Sequence, residues 1–357
     1  MRVSVCVPNY NYGAFLGATL ESVLQQDHAD LEVVISDNAS TDTSWDIAEG
    51  FADRDSRVVA SQADRNYGFA ANLDRAVRMS RSPWCITLSS DDLMLRGALG
   101  KYAAVVTAAE SRGERFAVSS TTDVVDPQGV KTGHIGSRRL RWDRYPVDAE
   151  VSTAAGTVVR AAPAAELLAD SLRLLRNPVP FLSTMFPRDA FDVVGCYTGQ
   201  RIINPDKWFH WRLLGEIDRF YLFDEPLFAY RVHGANQLSQ QAASGALKFW
   251  VDEYASTFQL PVELLAKAGV TRDELAAAFI EIDIVKRGFL AIAFGDHGTA
   301  RRLVSFGRAA YPKQARNPRM LALALAARGG RAATYLAARG ARRLDPGGSA
   351  GGWAPTK

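Results

Sequence analysis

Trp84-Cys85-Ile86-Thr87-Leu88-Ser89-Ser90-Asp91-Asp92 is an apolar run that ends on two adjacent carboxylates. A buried strand closing in this way delivers two negative charges to the carboxyl edge of a sheet, where α/β proteins place their ligands. Such charge is costly without a cation, and hard oxygen ligands suit Mg²⁺ or Mn²⁺ bridging to a diphosphate. The competing reading is a plain strand-to-helix turn in which Asp92 caps a helix beginning near Leu95. The sequence on either side decides between them.

Upstream, strands and helices alternate. The strand Val3 to Val7 leads through Pro8-Asn9-Tyr10-Asn11 into a helix with Leu16, Leu20, Val23 and Leu24 at i, i+4, i+7 and i+8. A second strand, Leu31 to Ser36, is followed by the loop Asp37 to Asp42, rich in capping residues, and by a short helix through Ile47 and Phe51. A third strand, Arg57 to Ala60, precedes a helix with Phe69, Leu73, Ala76 and Val77 in register, and then comes the strand that ends at Asp91-Asp92. This repetition predicts a mostly parallel sheet with helices on both faces and right-handed crossovers. Pro8-Asn9-Tyr10, Asp37, the stretch Asn66 to Asn72, and Asp91-Asp92 all fall at carboxyl ends of successive strands, and that convergence favours the metal reading over a helix cap.

Composition sets broad limits. The 357 residues, 47% apolar, can build a substantial core and leave room for two domains. Forty-two basic and 39 acidic residues nearly balance, so nothing global calls for a nucleic acid partner. Cys6, Cys85 and Cys196 form no close pair and read as buried reduced thiols. The strand beginning at Val3 leaves no space for a signal peptide, and no uncharged apolar stretch approaches the roughly 20 residues that span a bilayer. A cytoplasmic location is the expectation.

From about residue 116 the pattern loosens. Phe116 to Ser120 reads as a strand, and Lys131 to Asp148, with Lys131, Arg138, Arg139, Arg141 and Arg144, reads as an excursion loop of little apolar periodicity. A helix over Ala164 to Leu175, a strand over Phe181 to Phe186, a helix opening at Asn204-Pro205-Asp206, and extended runs Phe220 to Phe223 and Leu227 to Val232 follow. Beyond about Gln240 the text is helical, in stretches that read as paired hairpins, with no repeat at fixed period. The boundaries read from sequence are a domain over 1–239, a helical region over 240–344 and a disordered tail over 345–357. The Ala-rich stretch Leu321 to Leu344, with Arg328, Arg331, Arg339, Arg342 and Arg343, has two readings: a helix lying at the inner face of an anionic membrane beside a lipid-linked acceptor, or a solvated helix face. The helices from Gln240 onward would shape an acceptor pocket or pair two copies of the chain.

On the ordered motifs quoted above, the first 240 residues resemble glycosyltransferase family 2. The resemblance implies a GT-A fold, half-Rossmann-like, with a mostly parallel sheet flanked by helices, here followed by a C-terminal all-helical extension. It implies a nucleoside-diphosphate sugar donor and a Mn²⁺ or Mg²⁺ ion. Pro8, Asn9 and Tyr10 would then meet the nucleobase, with Pro8 as a rigid turn element and Tyr10 as an aromatic contact. Asp37 would accept a pyrimidine imide N–H, which favours UDP or dTDP while leaving GDP open. Asn66, Gly68 and Asn72 would lie near the ribose, Asp91 would face it, and Asp92 would hold the metal. Many relatives carry Asp where this chain has Ser89, which lowers the charge available to the ion.

In the same resemblance the catalytic base opens a helix that ends in Arg, matched by Pro205-Asp206 through Arg212, with Pro205 in place of a Glu. Asn204 as N-cap and Pro205 at the first position would put Asp206 in the first turn, where the helix dipole favours the carboxylate. His233, in Tyr230-Arg231-Val232-His233, would complete the metal site or touch the diphosphate, and Arg231 would contact phosphate or cover a Trp or Tyr face. His28, His134, His210 and His297 read as structural. The implied reaction is an inverting single displacement at the anomeric carbon, with Asp206 taking the proton of an acceptor hydroxyl on a saccharide, a lipid-linked molecule or a small molecule. Two alternatives stay open: a nucleotide-sugar-binding protein without turnover, and a nucleotidyltransferase on a similar sheet. Against the latter, Pro8 to Tyr12 offers no Gly-rich basic loop. A dinucleotide oxidoreductase is weaker still, lacking G-x-G-x-x-G after the first strand.

Overall fold

The computed structural model of the chain describes residues 1–195, 205–234 and 246–330. Asn204, Cys196, the 239/240 boundary, the arginines from Arg331 onward and the tail 345–357 lie outside the described residues. The chain divides into two compact units, one built on Met1–Leu168, the described residues from Asn177 to Gly195 and Pro205–His233, the other on Ala169–Arg176 and the described residues from Gly234 on.

The first unit holds a ten-stranded sheet: β1 Val3–Asn9, β2 Leu31–Asp37, β3 Val58–Gln62, β4 Trp84–Thr87, β5 Leu93–Met94, β6 Phe116–Val125, β7 Lys131–Ile135, β8 Val159–Pro163, β9 Met185–Pro187 and β10 Arg219–Arg231. Its order is β3-β2-β1-β4-β9-β6-β10-β5, with β7 added to β6 and β8 to β10. The half formed by β3, β2, β1 and β4 is parallel; β9 joins it to the rest by antiparallel pairing, while β6 and β10 are again parallel. β1 and β2 are buried along their whole length, as continuous apolar strands covered on both faces must be.

Helices α1 Gly13–Leu24, α2 Ser44–Arg54, α3 Phe69–Met79 and α4 Ala98–Glu110 connect the early strands. The chain runs outward from β1 to β2 to β3 and then returns to β4 on the other side of β1. Right-handed crossovers therefore put α1 and α2 on one face and α3 on the opposite one. Leu16, Leu20 and Val23 of α1, and Leu73, Ala76 and Val77 of α3, are fully buried, as their spacing predicts. The strand order reverses between β1 and β4, and a ligand crevice belongs outside their carboxyl ends.

Several readings are corrected. The stretch Lys131 to Asp148 is no loop: it supplies β7, a short helix Ser137–Leu140 and a helical turn Trp142–Arg144. β7 is a largely exposed strand paired to β6, so it carries no apolar alternation to read. Phe181 to Phe186 is split into a helical turn, Phe181–Ser183, and the short β9. The two extended runs after Phe220 are one strand, β10, with register shifts around Pro226, whose missing N–H interrupts the ladder. Pro8 is a strand residue opposite Ser36, not part of the turn. Its backbone faces the β4 side, where pairing has already stopped at Cys6 and Thr87, so the absent N–H costs no ladder bond.

The second unit is helical, with helices Ala246–Phe258, Val262–Lys267, Arg272–Phe279, Arg287–Ala293, His297–Ala310 and Pro318–Ala326. The stretch Arg272 to Phe294 contains a π-helical segment over Ile280–Lys286. A capping box of Thr271 and Glu274 starts it. Phe294 to Asp296 turn the chain back into the next helix, as a hairpin. A Cβ at Gly307 would lie 3.0 Å from both Ile284 and Met320, so the helices cross there at glycine distance. Met320 and Leu323 point inward from the last described helix while Leu321 and Leu325 are exposed. Cys6 and Cys85 are buried and free. Among the described residues no helix is long and apolar enough to cross a membrane.

Candidate active site

The carboxyl ends of β1 and β2 are locked together by polar side chains. Asp37 is wholly enclosed and accepts from Asn9 Nδ2 at 2.8 Å, Ser40 N at 2.9 Å, Ser40 Oγ at 2.6 Å and Gln62 Nε2 at 3.2 Å. The carboxylate expected to face a nucleobase is therefore committed to its own loop, and among these donors only Gln62 belongs to an exposed side chain. Asn9 Oδ1 is buried without a hydrogen-bond partner. Ala39, at φ 61°, holds the loop in the left-handed region, a strain L-residues take up rarely outside functional turns. Tyr10 is 40% exposed at the crevice rim, open for an aromatic contact.

Asn72 is neither a surface residue nor a free ribose contact. It is buried on α3, accepting from Ser36 Oγ at 2.7 Å and donating to Ser36 O at 2.8 Å and Asn9 O at 3.1 Å. Its amide is thus consumed in stapling β1 to β2. Asn66 and Gly68 form the entry to α3. Asn66 Oδ1 accepts from Gly68 N and Asn38 Nδ2, each at 2.8 Å. Gly68, at φ 88° and ψ 165°, occupies a region essentially restricted to glycine.

Asp92 caps no helix. α4 begins only at Ala98, after Gly97, and Asp92 Oδ1 instead accepts the Arg231 N–H at 2.9 Å. The hydroxyl of Thr19, on α1, reaches Ser90 O at 3.0 Å and Asp92 O at 2.9 Å, which fixes the acidic turn against that helix. Ser89 partly offsets the rise of the Asp92 carboxyl without adding a third charge. Arg231 corrects its expectation. It is buried, lies 5.3 Å over the Phe15 ring rather than a Trp or Tyr, and donates to Asp91 O and Pro127 O, both at 2.8 Å. It shapes the turn from behind.

His233 Nε2 lies 3.0 Å from Asp91 Oδ2, so the imidazole partners Asp91 rather than Asp92. Its ring is flanked by Phe15, at 4.4 Å between centroids, and by Tyr12, at 5.8 Å. Burial pushes the Asp91 carboxyl above its usual range against the pull of His233, and pushes Asp92 well above it, with the Asp91 charge adding to the effect. Burial and the same two carboxylates raise the hydroxyl of Tyr12 and bring Tyr230 to about 12. A pair of enclosed carboxylates that resist ionisation is a place where a divalent cation would be welcome. Among the described residues no three His, Cys, Asp or Glu side chains converge as a ready cage. The donor set instead fits an open site: one or two carboxylates and an imidazole, the remaining positions left to phosphate oxygens and water.

Asp206 stands in the first turn of helix Pro205–Glu216. Burial raises its carboxyl above the ordinary range, and the hydrogen bond from the Lys207 N–H at the helix start only partly offsets this. The dipole argument from sequence, which gave an ordinary carboxylate, is overruled by desolvation. Asp206 Oδ2 accepts from Asn177 Nδ2 at 2.6 Å, and Asn177 Oδ1 pairs with His210 Nδ1 at 2.7 Å. His210, read as structural, is thus one residue removed from Asp206. The signal was present as the i, i+4 spacing of Asp206 and His210, but Asn177 lies 29 positions upstream of Asp206 and carries no motif. Asn38, Ser40, Gln62, Thr19 and Tyr12 were missed for a similar reason: their roles depend on which loops meet.

Residues 4–158 match the model of Glycosyl transferase family 2. Among curated proteins, glycosyltransferase GlyG of Streptococcus pneumoniae serotype 4 is 29% identical over 92 residues, 26% of this chain and 31% of its own length. The matched stretch thus spans under a third of that relative. The fold continues much further. The crystal structure of S. aureus TarS 1–349 with UDP-GlcNAc superposes with a TM-score of 0.62 at 16% identity, over 98% of this chain and 92% of that one. The mannosyltransferase PcManGT from Pyrobaculum calidifontis, in complex with GDP-Man and Mn²⁺, gives 0.53 at 18% identity, over 97% and 80% of the two chains. Strand order, the acidic turn at the switch point and the matches agree: residues 4–158 are similar to glycosyltransferase family 2, and the fold is the GT-A fold.

Proposed function

We propose that the chain is an inverting glycosyltransferase that passes a sugar from a nucleoside-diphosphate donor to an acceptor hydroxyl. The observation that carries this is the pair Asp91-Asp92, enclosed at the switch point beside His233, with both carboxyls raised by burial. The bound ligands of TarS and PcManGT, UDP-GlcNAc and GDP-Man with Mn²⁺, support a donor of this class. Asp92, with Asp91 and His233, would hold Mn²⁺ or Mg²⁺, which when bound supplies Lewis-acid neutralisation of the charge developing on the departing diphosphate.

The chain's own residues do the rest. Tyr10 offers a face to the base, and Asn66 and Gly68 present the entry of α3 towards the ribose. An imide N–H would be received by Asn9 Oδ1, or by Asp37 Oδ1 once the exposed Gln62 amide swings away. Asp206 accepts the proton of the acceptor hydroxyl on the face opposite the diphosphate. A carboxyl raised by burial is a stronger base than a solvated one, which suits this task. Arg231, spent on backbone carbonyls, keeps the acidic turn in place and leaves phosphate binding to the ion.

Calorimetric titration with UDP, dTDP and GDP, with and without Mn²⁺, tests the assignment. Binding of at least one of them, strengthened tenfold or more by Mn²⁺, is the expected result. Equal heats with and without the ion, or no binding of any of the three, would defeat it.

A further inference from the structure

Asp206 and His210 are one turn apart on helix Pro205–Glu216, so their side chains share a face. Asn177 spans the gap between them, bonded to both. Pro178 follows it, and the Trp142 indole N–H donates to Pro178 O at 3.1 Å, pinning the segment that presents the amide. His210 is completely buried, and its Nε2 has no hydrogen-bond partner.

That last fact selects a tautomer. A neutral imidazole carries one N–H. On Nε2 it would be a stranded buried donor, and Nδ1 would become an acceptor. Asn177 would then have to turn its NH₂ to His210 and its carbonyl towards the Asp206 carboxylate, two acceptors in contact. With the hydrogen on Nδ1, only a bare lone pair is left at Nε2, which costs less than an orphaned N–H. Nδ1–H then claims Asn177 Oδ1, and the amide NH₂ has to face Asp206. Burial also drives the imidazole down to about 3, so His210 stays neutral at physiological pH and moves no proton itself.

Building on the reading of Asp206 as the base, we propose that His210 is a positioning residue: its Nδ1–H fixes the Asn177 amide, which holds the Asp206 carboxylate in the orientation of the base. His210 and Asn177 act as one unit, the first through the second.

The test has two arms. In ¹⁵N-histidine correlation spectra of the full chain, the resonances missing from H210F identify His210; the expected pattern is protonated Nδ1 and bare Nε2, unchanged from pH 5.5 to 8. Kinetically, N177L and H210F should each lower kcat about tenfold, the loss of one hydrogen bond to a charged group, with donor KM unchanged. In both, the acid limb of kcat should move to higher pH, because a donated bond that favours the carboxylate has gone or slackened. The double variant should be no worse than N177L alone. An Nε2–H tautomer, an imidazolium titrating in that range, or multiplying kinetic losses would each overturn the relay. Wild-type chain that binds nucleotide yet transfers and hydrolyses no donor would remove Asp206 as base, and the relay with it; a wrong tautomer in an active enzyme would sink the relay alone.

Discussion

Asp206→Asn is expected to lower turnover by about 10² to 10⁴, the usual worth of general-base assistance, while leaving donor affinity unchanged. The amide is isosteric and its carbonyl can still accept from Asn177 Nδ2, so the helix start and its surroundings should survive. What goes is the ability to hold a proton at that oxygen. Because burial raises the Asp206 carboxyl, wild-type kcat should fall in acid with a midpoint above about 3.9, the value of a solvated aspartate. Below that midpoint the base is protonated and inactive; above it kcat reaches its plateau. D206N should show a low rate without this limb. A variant within threefold of wild type, or one whose loss lies wholly in donor KM, would strip Asp206 of the role.

Asp92→Asn should do two opposite things. It should abolish the Mn²⁺-dependent part of diphosphate binding, since Asp92 is the carboxylate assigned to the ion. It should also stabilise the ligand-free protein at neutral pH. The sign follows from the raised folded-state carboxyl. Between the unfolded value and the raised folded one, the native chain still holds a proton that the unfolded chain has released, so stability falls as pH rises through that window. Asn carries no such proton and removes that slope, while its carbonyl can keep the bond from the Arg231 N–H. A gain on the order of 1 kcal/mol at pH 8, shrinking towards pH 4, is expected, the familiar exchange of stability for a functional charge. Thermal unfolding of both proteins at the two pH values measures it. A variant that is less stable at pH 8, or that still binds diphosphate more tightly with Mn²⁺, would contradict the assignment.

Much of the first unit was legible because its physics is local. Continuous apolar strands, helix faces at i, i+4 and i+7, and acidic or amide residues at strand ends all lie within short windows, and β1 to β4 with α1 to α3 follow them. The later strands were less so. β7 is exposed, β9 has three residues, and β10 runs through Pro226, so none carries a strong period of its own. At the site, the sequence offers Asp91, Asp92, His233 and Asp206 as candidates but not their partners. The resemblance implies ligand contacts for Asn72 and Arg231, but in the fold both are buried and bond to backbone groups. His210 was set aside because an imidazole on a helix has no meaning until Asn177 is brought beside it. Desolvation, which raises the Asp206 carboxyl against the pull of the helix start, is a property of the packed chain.

The account rests on one arrangement: an ion at Asp92 gripping a diphosphate, with Asp206 facing the sugar from across the pocket. A crystal structure of the chain soaked with a binding nucleoside-diphosphate sugar and Mn²⁺ tests it most directly. The account predicts ion density about 2.0 to 2.3 Å from an Asp92 oxygen and from diphosphate oxygens, and Asp206 aimed at the anomeric carbon opposite the leaving group. A nucleotide bound away from the ends of β1 and β4, or an Asp206 carboxylate opening onto a different surface from the sugar, would contradict it.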